Sequence, residues 1–151
     1  MTRVAATTLR LAGLLIICLG LIHLYATPHI PQLLDAMRSD QIYPLARAAT
    51  LLNHVLVGFL LLPLGYTTWF ASAPANVSTP WARRILLVNS IAMWSAPLSL
   101  IALMHDPAYY GAPLFLAGAG LALLIPALMI AAVFTLYRRR PRTCIAKLRG
   151  P

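Results

Sequence analysis

The chain has 151 residues, of which 60% are hydrophobic and only 10% are charged, and its mean hydropathy is +0.79. This composition excludes an ordinary soluble domain, because a soluble protein of this size cannot hide so many apolar side chains from water. The net charge of +9 does not indicate nucleic-acid binding, because the arginines stand beside apolar segments, where they orient a protein in the membrane and contact anionic lipid headgroups.

The first apolar segment, residues 9–27, has Arg3 before it and Arg10 at its start, and it predicts a membrane-spanning helix. A span takes about 17 to 25 residues, and this segment satisfies that requirement. A cleaved signal peptide is the alternative, but the residues before Ala26 are too large for a good cleavage site. We therefore expect the segment to remain as the first span.

Residues 28–44 connect the first span to the second. Apolar residues recur here at helical spacing between Asp35, Arg38 and Asp40. The pattern predicts a short interfacial helix lying on the membrane surface, and a helical loop packed on the protein is the alternative.

Three more apolar segments predict spans over residues 47–72, 81–104 and 113–137, followed by a basic tail, residues 138–151. The second of these spans contains His54, and an ionisable side chain within a span is costly unless it faces a partner. In the third, Asn89 and Ser90 are expected to hydrogen-bond to a neighbouring helix. The loops are too short to hold a second domain.

The positive charges fix the expected orientation. In a four-span arrangement only two cations, Arg38 and Arg47, fall on one side of the membrane. All the others fall on the opposite side: Arg3, Arg10, Arg83, Arg84, Arg138, Arg139, Arg140, Arg142, Lys147 and Arg149. By the positive-inside rule this predicts an all-α, antiparallel four-helix bundle in the plasma or inner membrane, with both termini cytoplasmic.

The outer half of this bundle gathers the chemistry-bearing side chains. It contains all four histidines and all three acidic residues of the chain: His23, His29, His54, His105, Asp35, Asp40 and Asp106. The inner half contains cations instead. We therefore expect any functional site to lie in the outer half.

Glycines share helix faces with two of these histidines. Gly20 lies on the face of His23, and Gly58 lies on the face of His54. Glycine lets a second helix approach closely, and it equally leaves room for a flat cofactor beside an axial ligand. Both interpretations stay open at this point.

Two cofactor hypotheses fit the histidines. In one, His23 and His54 are the axial ligands of a b-type haem, with Arg47 or Arg38 near the propionates. Gly20 and Gly58 would then border the porphyrin. No HxxxH, CxxC or HExxH motif accompanies the histidines.

In the other hypothesis, a copper or zinc ion is bound by His23, His54 and His105, with Asp106 or Met104 as a further ligand, since imidazole suits both metals. Either cofactor predicts a small redox or metal-binding module within a larger membrane complex. The first alternative is a non-catalytic subunit or assembly factor whose histidines serve helix packing alone, and the second is a small transporter or channel. No residue pattern decides whether the chain is an enzyme.

Overall fold

The computed structural model describes residues 2–32, 43–103 and 113–138, and these residues form long α-helices with no β-strand among them. The helices are α1 (Thr2–Ala26), α2 (Tyr43–Ala71), α3 (Pro80–Leu103) and α4 (Pro113–Tyr137). The prediction of an all-helical chain is confirmed for the residues that the structure describes.

Helix α1 is longer than the predicted first span. It begins at Thr2, because the helix continues on the N-terminal side of the apolar segment, through Arg3 and the residues up to Thr8. It ends at Ala26, and a 3-10 turn, Thr27–His29, follows directly. Pro28 in this turn has no backbone N–H to continue the α-helical hydrogen bonds.

The predicted interfacial helix is only partly covered by the structure. Residues 30–32 are helical, residues 33–42 lie outside the described part, and α2 already begins at Tyr43. The other predicted spans agree closely with α2, α3 and α4.

The helices pack in a ring in which α1 contacts α2 and α4, and α3 contacts the same two helices. Helices α1 and α2 are antiparallel, since Gly13 meets Gly65 while Gly20 meets Gly58. Between them the four helices bury a continuous apolar core whose fully enclosed side chains are Leu9, Ile16, Leu86, Ile125 and Met129.

Helices α1 and α2 approach closely at a glycine seam, made of Gly13, Gly20, Gly58 and Gly65. A Cβ atom added at Gly13 would lie 2.6 Å from the amide nitrogen of Trp69 and 2.8 Å from the carbonyl oxygen of Gly65. At Gly20 it would lie 2.9 Å from the carbonyl oxygen of Gly58. These distances are too short for a side chain, so the two backbones touch.

Three helical stretches are long and apolar enough to cross a membrane, residues 3–32, 50–71 and 118–137. Large apolar side chains such as Leu60, with 67% exposure, and Ile22, with 59%, cover their outer faces. Contiguous apolar surface of this kind is typical of lipid contact. The chain therefore has the helices of a membrane protein.

Helix α3 is less apolar than the other three. It carries Arg83 and Arg84 in its first turns, and it buries Asn89 and Ser90 farther along. Asn89 hydrogen-bonds to α2 as expected, whereas the Ser90 hydroxyl donates to the Leu86 carbonyl of its own helix, at 2.6 Å. A serine hydroxyl reaches the preceding turn of its helix more easily than a neighbouring helix.

Candidate functional site

His23 of α1 and His54 of α2 lie side by side at one end of the bundle. Their rings are stacked, with centroids 4.7 Å apart and planes inclined by 28°. The glycine seam explains this placement, because Gly20 and Gly58 face each other one helical turn away from the two histidines. Both imidazoles are half-buried.

The ring of His23 is anchored on its own helix. Its Nδ1 lies 3.1 Å from the carbonyl oxygen of Leu19. A carbonyl oxygen only accepts hydrogen bonds, so this Nδ1 is the donor. The hydrogen bond fixes the ring relative to α1.

The ring of His54 is held by a hydrogen bond to Thr27, in the 3-10 turn that follows α1. Its Nδ1 lies 3.0 Å from Thr27 Oγ1, and the same hydroxyl donates to the carbonyl oxygen of His23 at 2.8 Å. The hydrogen bonds observed for the two imidazoles are therefore both at Nδ1.

Sequence reasoning does not identify Thr27, which is merely the last residue of the predicted first span. Its position depends on the 3-10 turn that begins after Ala26. A threonine directly before Pro28 is the available signal, because threonine hydroxyls often bond to the carbonyl four residues earlier where a helix ends.

The other predicted cofactor-binding residues lie along the same two helices as the histidine pair. The space beside Gly20 and Gly58 is filled by the neighbouring helix, so these glycines permit helix contact. Arg47 lies on the face of His54, two turns nearer the start of α2. It is half-buried, and none of the described residues hydrogen-bonds to its buried Nε.

Most of the further predicted ligands belong to parts of the chain that the structure does not describe. His105 and Asp106 lie outside the described residues, as do Arg38 and Met104. His29 is exposed, with its ring 6.0 Å from that of Tyr25. Residues 2–32, 43–103 and 113–138 contain no group of three or more His, Cys, Asp or Glu side chains that could hold a metal ion.

The arrangement suits a metal ion better than a haem. A histidine that ligates a metal normally donates its other ring N–H to a carbonyl or a similar acceptor, and both Nδ1 atoms have such a neighbour here. A haem between two axial imidazoles would place the porphyrin between the rings, but these rings stack at 4.7 Å. Haem binding would require α1 and α2 to separate at the glycine seam.

Comparisons of the chain with protein-family models, with curated proteins and with solved structures give no match.

Proposed function

We propose that the chain is a four-span membrane protein that binds a copper or zinc ion through His23 and His54, in the outer half of the bundle. The observation that supports this proposal is the stacked pair itself, whose two rings are each hydrogen-bonded at Nδ1, so that Nε2 is the nitrogen that would bind the metal. Neutral imidazole with one nitrogen bonded to a second group is the usual state of a histidine ligand.

Two imidazoles alone do not complete the coordination of copper or zinc, which take three or four ligands from protein and solvent. In the proposal His105 and Asp106 supply the remaining protein ligands. They belong to the connection between Leu103, where α3 ends, and Pro113, where α4 begins. Both of these helix ends lie at the same end of the bundle as the histidine pair, since neighbouring helices are antiparallel.

A copper ion in this position would let the protein pass electrons within a larger membrane complex. A b-type haem is the less favoured cofactor, since the two rings stack with centroids 4.7 Å apart and a porphyrin would have to lie between them. In that version Arg47 would face the propionates.

The test is metal binding by the purified protein in mild detergent, measured by copper and zinc titration together with the absorption spectrum. We expect one ion per chain, and we expect His23→Ala and His54→Ala to abolish its binding. His29→Ala is the matched control, because His29 is exposed and away from the pair. Failure of the wild type to bind either metal stoichiometrically would overturn the proposal, and a Soret band would point to haem instead.

The second candidate is a non-catalytic membrane subunit whose histidines serve helix packing. The hydrogen bond between Thr27, in the 3-10 turn after α1, and His54 of α2 favours it, since polar side chains commonly join helices within membranes. In that case His54→Ala lowers the stability of the protein or its yield in a complex, while metal content and spectrum stay unchanged.

Lipid and neighbouring subunits are the proposed partners. The described part of the chain contains no acidic residue, because the three acids are at positions 35, 40 and 106. The arginines at the proposed cytoplasmic end, including Arg3, Arg83 and Arg84, accordingly form no ion pair with an acidic side chain of the described residues. Arg10 instead lies over the Trp69 ring, 5.1 Å from its centroid. Anionic lipid headgroups would neutralise these charges.

A further inference from the structure

We infer that Thr27 is a positioning residue that fixes the protonated nitrogen of His54, so that the histidine pair presents two free Nε2 lone pairs to a ligand. The inference deepens the proposed metal site and rests on it for its functional meaning. Its structural part, the position of one proton, stands on distances within α1, the 3-10 turn and α2.

The Thr27 hydroxyl has a single proton and can therefore donate only one hydrogen bond. Its Oγ1 has two polar neighbours, the carbonyl oxygen of His23 at 2.8 Å and Nδ1 of His54 at 3.0 Å. The carbonyl oxygen has no proton to give, so the bond between the two oxygens exists only if Thr27 donates. That donation uses the only hydrogen of the hydroxyl.

The contact with His54 must then run in the other direction. Once its proton is directed to the His23 carbonyl, Oγ1 can only accept, and the hydrogen bond to His54 requires a proton on Nδ1. The neutral ring of His54 therefore has an unprotonated Nε2. The opposite arrangement, with Thr27 donating to His54, would place the ring proton on Nε2 and block metal binding there.

His23 reaches the same tautomer by a separate route, because its Nδ1 donates to the Leu19 carbonyl at 3.1 Å. Its tautomer is therefore independent of Thr27. This difference between the two rings makes the role of Thr27 testable, since loss of its hydroxyl should change one histidine and leave the other unchanged.

The experiment uses the full-length, metal-free protein with ¹⁵N-labelled histidine, at a pH where both rings are neutral. Long-range ¹H–¹⁵N spectra distinguish a protonated from an unprotonated ring nitrogen. Spectra of His23→Gln and His54→Gln assign the signals. In the wild type we expect a protonated Nδ1 and a free Nε2 on both rings.

Thr27→Val should move the proton of His54 to Nε2 and leave His23 unaffected, whereas Thr27→Ser should restore the wild-type pattern. Thr135→Val is the matched control, because that hydroxyl is bonded only to the Ala131 carbonyl of its own helix. Copper or zinc affinity should fall about 10- to 100-fold in Thr27→Val, the usual effect of removing a group that orients a ligand, and recover in Thr27→Ser.

The two proposals fail in different ways. A wild-type spectrum with the proton of His54 on Nε2 overturns the role of Thr27, even in a protein that binds metal. So does a Thr27→Val spectrum in which His54 is unchanged. Absence of metal binding with the expected tautomers refutes the proposed function and leaves the assignment of the proton intact. The wild-type spectrum decides the assignment even if Thr27→Val does not fold.

Discussion

At the scale of single residues, Asn89 connects α3 to α2 with both hydrogens of its amide group. Its Nδ2 lies 2.9 Å from the hydroxyl oxygen of Thr67 and 2.9 Å from that of Thr68. Each hydroxyl directs its own proton to a carbonyl of α2, so each is available to accept from Asn89. The donors of this buried network are therefore all satisfied.

Replacing Asn89 by leucine should lower the free energy of unfolding by about 1 to 2 kcal/mol, because it removes two hydrogen bonds between helices, each worth about 0.6 to 1 kcal/mol in membranes. Leucine has the same branching and is the larger side chain, so the loss would not come from a cavity. Ser90→Ala is the control, because its hydroxyl bonds only within α3 and its removal should change stability little. Unfolding in mixed detergent, followed by circular dichroism, measures the stability of both variants. Equal losses of stability would contradict the role of Asn89 in joining α3 to α2.

At the scale of helices, the glycine seam sets the spacing and the register of α1 and α2. Backbone atoms occupy the space beside Gly13, whose added Cβ would meet Trp69 and Gly65. Beside Gly58 the obstacle is softer, since the nearest atoms belong to the side chain of Leu24, at 2.8 Å. The contact is thus most rigid at the end of the helix pair that lies away from the histidines.

Alanine at Gly13 or Gly65 should force α1 and α2 apart and lower the free energy of unfolding by about 1 to 3 kcal/mol, a typical effect of overpacking. Gly58→Ala should have a smaller effect, because the Leu24 side chain can rotate away. Gly118→Ala is the matched control: nothing lies within 4 Å of its added Cβ, and alanine favours the helix. The same unfolding assay ranks the variants. If Gly118→Ala lowered the free energy of unfolding as much as Gly13→Ala, the role of the glycine seam in helix spacing would be refuted.

Hydropathy alone predicts these elements well, as the agreement between residues 113–137 and α4 illustrates. It misplaces the start of α1 because a helix can extend beyond its apolar segment through arginines. The comparable depth of His23 and His54 in their predicted spans favours their proximity. The stacking of their rings and the hydrogen bond from Thr27 depend on helix register and on the 3-10 turn, and local sequence patterns encode neither.

At the scale of the whole molecule, the membrane crossing of α3 decides the topology. This helix is absent from the stretches that qualify as spans by length and composition in the described residues. Its polar residues reduce its hydropathy, but Asn89 and Ser90 are buried against protein, where they avoid lipid. We therefore expect α3 to cross, which places both ends of the chain on the cytoplasmic side.

The two cysteines of the chain allow a direct measurement. A membrane-impermeant thiol reagent should label Cys144 in inside-out vesicles and leave it unlabelled in intact cells. Cys18 lies on the exposed face of α1, where we expect lipid to cover it, and it should stay unlabelled in both preparations. The variant Cys144→Ser, in which Cys18 is the remaining thiol, tests this. Thr2→Cys in that background should report the same side as Cys144. Opposite sides would mean that α3 does not cross.

The glycines of the seam are seven residues apart in both α1 and α2, and this matched spacing fixes the register of the two helices. Sliding one helix by one residue would remove both glycine contacts, so only one register satisfies them. Positions 23 and 54 consequently face each other whichever side chains occupy them. The register of the two helices therefore brings these two positions together by itself. Other residues placed there, such as two cysteines or a carboxylate and an amine, would also lie side by side.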